Sequence, residues 1–144
     1  MSTRAEKATQ LHQKGYNCCQ AVACAFADQV EMSEEELFRI TEGFGLGMGG
    51  MRGTCGAVSG AVAIMSLTNS KGSEYLKNKM DTYKYTRMIL EKFEEKNQSS
   101  ICRELKGVDT GKVLRACPGC VQDAAEILEE CLKEREVIKA GESV

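Results

Sequence analysis

The sequence predicts an all-α fold: a single-domain helical bundle of about six or seven helices, with a glycine-rich loop before a buried central helix. Three observations carry this. Capping residues precede apolar-periodic segments and glycines follow them, as at helix ends. Apolar residues recur at three- and four-residue spacing instead of alternating. No strand-like run and no internal repeat appears in the 144 residues, a length that suits one domain, residues 1–144, with a core of its own.

The elements follow in order. Residues 3–14 form a polar first helix closed by Gly15, which suits the left-handed position after a helix. Asn17 caps a second helix through CCQAVACAFADQV to about Val30. Ser33 and Glu36 make a capping box, and Leu37, Ile40 and Phe44 continue at helical spacing. Eight of the chain's 14 glycines lie between Gly43 and Gly60, a loop built for close backbone approach or positive φ. CGAVSGAVAIMSLT then reads as a short helix buried on every side.

NSKGS links to a long helix, about Glu74 to Asn97, with Leu76, Met80, Tyr83, Leu90 and Phe93 on one stripe. SSICRELKG is a short helix stopped by Gly107, and Asp109 or Thr110 starts another turn or two toward Ala116. Pro118 suits the first position of the last helix, whose Val121, Ala124, Ala125, Leu128 and Leu132 face the core.

Composition narrows the function. A net charge of −2 gives no electrostatic reason to expect nucleic acid or anionic membrane. The first 15 residues are polar and lack the apolar stretch of a signal peptide. The longest apolar run, Ala57 to Leu67, is broken by Ser59, Gly60 and Ser66 and is too short for membrane insertion. A cytoplasmic protein is expected. There, eight cysteines point to metal binding or redox chemistry rather than a disulfide scaffold.

Four thiols fall at predicted helix starts: Cys18 after Asn17, Cys55 after Thr54, Cys102 after Ser100, and Cys117 before Pro118. Free N–H groups and the positive end of the helix dipole stabilise a thiolate there, and the thiolate is both nucleophile and metal ligand. Cys117 and Cys120 form a CxxC, read as a dithiol, as half a zinc site lacking its second CxxC, or as packing at a helix start. Cys24 and Cys131 sit among apolar neighbours and read as core residues. Cys19 shares a face with Ala23, Phe26 and Val30, and its role stays open.

Three other patterns fail on context. Gly45 to Gly50 spells GxGxxG but follows a helix, where a dinucleotide fold needs a strand. GVDTGKV is one residue short of a P-loop and ends in Val113 where Ser or Thr is needed. His12, the single histidine, lies on a polar helix and reads as a solvated side chain, so a Cys–His catalytic pair has little support.

The stretches GYNCCQAV, GFGLGMGGMRGTCGAVSGA, SSICRELKG and CPGCVQDAAEIL together resemble the C_GCAxxG_C_C family of redox-active proteins, in the right order over nearly the whole chain. The resemblance assigns the family cysteines to Cys18, Cys55, Cys102 and Cys117. Cys19 departs from the small residue common there, and Cys120 adds a CxxC that the family does not need. The resemblance implies redox activity. It also gives Cys55 a reason for its place: its sulfur can point into a shared pocket, with loop amides near Gly53 and Gly56 as hydrogen-bond donors.

Three functions follow as expectations. The first is an iron–sulfur cluster on Cys18, Cys55, Cys102 and Cys117, used for electron transfer with an unknown redox partner. The second is thiol–disulfide exchange without a metal, by Cys117 and Cys120 or by Cys55 and a partner. The third is a structural zinc on the same four cysteines. Metal-free, oxidised protein is expected to hold a Cys117–Cys120 disulfide. The apolar stripe of the long helix suits a homodimer or the domain's own core.

Overall fold

The computed structural model describes residues 3–137, with seven α-helices and no strand among them. No helix among these residues is long and apolar enough to cross a membrane. α1 (Thr3–Lys14) ends at Gly15, which takes φ +123°. This helix is less polar in effect than in composition, because Arg4, Ala5 and Ala8 are buried against α7.

Asn17 starts α2 (Cys18–Cys24) through a reciprocal cap: its side chain accepts the Gln20 N–H, and the Gln20 side chain accepts its own N–H, both at 2.9 Å. Every residue of α2 is buried. The helix stops at Cys24, short of the predicted Val30, and a single turn at Ala27–Gln29 follows. Phe26 leaves helical geometry at φ −114° and lies under the Arg4 guanidinium, 5.1 Å from its ring centre. Asp28 turns to meet the same Arg4 at 2.8 Å. A tertiary contact thus overrides the local helical pattern.

α3 (Glu34–Thr41) starts at the predicted Ser33–Glu36 capping box. It buries only Leu37 and Thr41, leaving Ile40 and Phe44 exposed. The loop after it is left-handed at Leu46, Gly47, Met48 and Gly49, with φ of 54°, 54°, 63° and 79°. Such a run costs little at glycine and more at the two larger residues. An isolated antiparallel bridge then joins Thr54 to Ile101.

α4 (Gly56–Asn69) is the central helix and packs against α2, α5 and α7. It is not buried on every side: Leu67 is exposed, and Val62 and Ala63 line an apolar cavity of about 520 Å³. Gly60 permits its close crossing with α2, since a Cβ there would lie 2.7 Å from the Cys19 carbonyl oxygen.

α5 (Lys79–Asn97) begins five residues later than predicted, after a turn at Leu76–Asn78. Its buried face is Ile89, Phe93 and Asn97, while Leu76, Met80 and Tyr83 of the predicted stripe are exposed. α6 (Cys102–Lys106) stops at Gly107, φ +69°. The helical turn predicted after Asp109 is absent, because Arg103 holds that carboxylate through two 2.8 Å bonds. The chain instead returns along α6, where the Leu105 carbonyl accepts from the Leu114 and Arg115 N–H groups. α7 (Cys117–Glu134) has Pro118 in its first turn and buries the predicted Val121, Ala124, Ala125, Leu128 and Leu132.

Candidate functional site

Each of the four cysteines singled out by position stands at a helix start. Cys18, Cys102 and Cys117 are the first residues of α2, α6 and α7, and Cys55 is the residue before α4. Their side chains line one cavity of about 170 Å³, and Cys120 lines it too. Leu46, Leu105, Lys106 and Arg115 complete much of the wall.

Local backbone geometry produces this convergence. The Thr54–Ile101 bridge is flanked by two hydrogen bonds, Cys55 N–H to the Ser100 carbonyl at 2.7 Å and Cys102 N–H to the Gly53 carbonyl at 3.0 Å. These clip the Cys55 and Cys102 segments together. The packing of α2 on α4 carries Cys18 to the same end, and the packing of α4 on α7 brings Cys117 and Cys120. Two glycines leave room for sulfur. A Cβ at Gly56 would lie 2.5 Å from Cys18 Sγ, and one at Gly47 would collide with Cys102 Cβ.

The sulfurs are electrostatically unequal. Cys55 is held down to about 7, first by the S–H of Cys120, then, against its burial, by the N–H groups of Ala57 and Val58 and the charge of Lys106. Those two N–H groups face the sulfur without forming a short capping bond. As donor to Cys55 and through burial, Cys120 has its own thiol pushed up. In the hydrogen-bond geometry its S–H donates to the Arg115 carbonyl oxygen at 3.7 Å. Burial raises Cys18, opposed by the N–H groups of Leu46 and Cys19. Burial pushes Cys102 up to about 11, with Lys106 opposing.

Cys117 is the least buried of the five, and its sulfur accepts from Lys106 Nζ at 3.1 Å. The CxxC thus shares one cavity, with the Cys120 sulfur beside the Arg115 carbonyl and the Cys117 sulfur bonded to Lys106. Sequence reading missed Lys106, although its spacing of four from Cys102 on one helix was a usable signal. It also missed Arg115. That side chain is fixed by Asp123 through bonds of 3.0 and 3.2 Å, and Asp123 is fully buried between Lys96, Asn97 and Arg115.

The remaining cysteines lie elsewhere. Cys24 and Cys131 are buried in the core, and burial raises both. Cys19 lines the larger apolar cavity, its thiol pushed up to about 12, chiefly by burial. His12 is half-buried instead of solvated, and burial followed by the Lys106 charge holds its pKa down. The Gly53 N–H is taken up by the Gly47 carbonyl at 3.1 Å, so the amides facing sulfur are those of Leu46, Cys19, Ala57 and Val58.

The donor set is purely sulfur, with glycine-made space and N–H groups around it, which fits the donor chemistry of a thiolate-bound metal or iron–sulfur group. Among the described residues, no group of three or more Cys, His, Asp or Glu is arranged to hold a single ion. The same sulfurs also suit nucleophilic exchange, since Cys55 combines a lowered pKa with a neighbouring thiol.

A family model described as "Putative redox-active protein (C_GCAxxG_C_C)" matches residues 16–131 of the chain. No curated protein and no solved structure matches it.

Proposed function

The chain belongs to the C_GCAxxG_C_C family of redox-active proteins, and on that premise we propose that it transfers electrons through an iron–sulfur site held by Cys18, Cys55, Cys102 and Cys117. The observation that supports this reading is the convergence of these four side chains, each from a helix start, on one cavity of about 170 Å³. A thiolate-bound cluster supplies one-electron exchange when present. The chain's own groups do the rest. N–H groups of Leu46 and Cys19 face Cys18, and those of Ala57 and Val58 face Cys55. Hydrogen bonds to sulfur favour the more negative, reduced state. Lys106 balances the anionic sulfurs, and the Leu46 and Leu105 side chains help to keep water from them.

A structural zinc on the same four cysteines is the second reading, favoured by the all-thiol donor set. It requires four sulfurs about 2.3 Å from one point. The exposed stripe of Leu76, Met80 and Tyr83 supports a homodimer, which sedimentation velocity would reveal.

Purification without oxygen, followed by visible spectroscopy and metal analysis, tests the reading. Coloured protein with iron and acid-labile sulfide is expected. Colourless, metal-free protein with full helical circular dichroism overturns it, and zinc without sulfide replaces it with the structural role.

A further inference from the structure

We propose that the apolar cavity of about 520 Å³ beside α4 is a binding site for an uncharged, mainly apolar small molecule that carries a hydrogen-bonding group. Among the described residues this cavity shares no lining residue with the cysteine cavity. The proposal therefore goes beyond the electron-transfer reading and does not depend on a cluster.

Helix packing makes the space. α4 turns Ser59, Val62 and Ala63 toward it, three and four residues apart on one face. Two of these side chains are small, so the helix surface is low there. Ile40 comes from α3, Phe44 from the turn after it, and Leu90 from α5. The glycine-rich loop adds Met48, which takes φ 63°, a costly conformation for such a side chain. Gly53 leaves room for it, since a Cβ there would lie 2.6 Å from Met48 Cγ. The loop thus accepts strain to hold a long apolar side chain at this cavity.

The chemistry of the wall defines the occupant. None of the side chains that line it is charged, and an ion entering it would give up hydration without gaining a partner. The volume is that of a small-molecule pocket. Ile40, Phe44 and Met48 are 59%, 41% and 59% exposed, and an apolar ligand lying against them removes that surface from water. Polar contacts are left open as well. The Thr41 and Thr86 hydroxyls donate to the Leu37 and Thr82 carbonyls. Those of Thr54 and Ser59 take no hydrogen bond among the described residues, so they can pair with a hydroxyl, carbonyl or amine on a ligand. Cys19 and Thr54 line this cavity while their neighbours Cys18 and Cys55 line the other. A bound molecule would lie against the same stretches of backbone that carry the sulfurs.

Equilibrium dialysis of the full-length chain against N-phenyl-1-naphthylamine, a neutral aromatic amine, tests this. Saturable binding of one molecule per chain is expected. 8-Anilino-1-naphthalenesulfonate adds a sulfonate to the same skeleton and should bind at least about tenfold more weakly. Ala63→Leu fills the cavity from α4, and Ile40→Glu puts a carboxylate at its exposed mouth. Each should weaken the neutral probe at least about tenfold, with helical circular dichroism retained. Met80→Glu, on another exposed apolar surface, should change nothing. Because Ile40 is already exposed, its variant decides the matter where Ala63→Leu fails to fold. Unsaturable or absent binding, equal or tighter binding of the sulfonate, or wild-type binding by Ile40→Glu overturns the proposal. So does a dimer in sedimentation velocity that Ile40→Glu dissociates while the wild type takes up no probe, which assigns the cavity to a second copy of the chain.

Discussion

The Lys106 ammonium donates to the Cys117 sulfur at 3.1 Å, which puts a fixed cation in the wall of an otherwise thiol-lined cavity. The bond to Cys117 is also the main reason that the lysine's own pKa is raised. Arg115 lines the same cavity, but its guanidinium is bound to Asp123. Lys106 therefore supplies the main counter-charge for sulfur.

Lys106→Gln should accordingly raise the titration of Cys55 and Cys102, which Lys106 now lowers. Alkylation of Cys55 near neutral pH should slow by less than about tenfold, because one pKa unit is a factor of ten and Lys106 is the weakest of the influences on Cys55. Mass-spectrometric mapping of iodoacetamide adducts against pH measures this. Unchanged rates at both sulfurs would show that the ammonium does not set the field of the cavity.

Two glycines of α4 should respond differently to alanine. At Gly56 a Cβ would lie 2.5 Å from Cys18 Sγ and 3.0 Å from the Phe44 carbonyl oxygen. Gly56→Ala should displace the sulfur and abolish metal or colour while helical content persists. At Gly60 the Cβ would meet the Cys19 carbonyl oxygen at 2.7 Å. Gly60→Ala should force α2 from α4 and cost about 1–3 kcal/mol in urea unfolding. A Gly56→Ala protein with wild-type metal content would remove the glycine cradle from the argument.

Much of this site was legible because its signals are local. Asn17, Ser33 and Gly107 mark helix ends through their own backbone and side-chain chemistry, and all three do so in the structure. Helix starts then located four of the cavity's cysteines. What sequence could not supply was the rotation of each helix and the partner across the cavity. Of the predicted stripe the core takes Phe93, with Leu90 partly buried against it, and adds Ile89, while Leu76, Met80 and Tyr83 stay exposed. Cys120 is three residues from Cys117, yet its sulfur meets the Arg115 carbonyl while Cys117 meets Lys106. The end of α2 was hidden for the same reason, since Arg4 acts from 24 residues away.

Cys24 and Cys131 provide a control within the molecule. They are 0% and 1% exposed and sit in the apolar core away from the thiol cavity. Replacing either by alanine removes one packed sulfur and should cost about 1 kcal/mol. Metal content should be unchanged. Loss of bound metal in a folded variant would enlarge the functional set beyond the cavity.

The Arg4–Asp28 pair should make stability fall in acid. Arg4 is buried over the ring of Phe26, with Asp28 at 2.8 and 3.0 Å and Glu129 at 3.7 Å. The Arg4 hydrogen bonds, working against burial, hold the Asp28 carboxyl down from 3.8 to about 2. Between those values the unfolded chain binds a proton that the folded chain refuses. The contribution is therefore complete above 3.8 and is lost as the pH falls toward about 2. Asp28 keeps 48% of its side chain in water, so solvent screening weakens the effect. Urea midpoints measured across this range should fall for the wild type, and Asp28→Asn should flatten the curve while lowering stability at neutral pH. Arg4→Ala should cost about 3 kcal/mol, near the lower end for a broken buried pair because one partner stays hydrated. An Asp28→Asn curve as steep as wild type would mean that other carboxylates govern the acid limb.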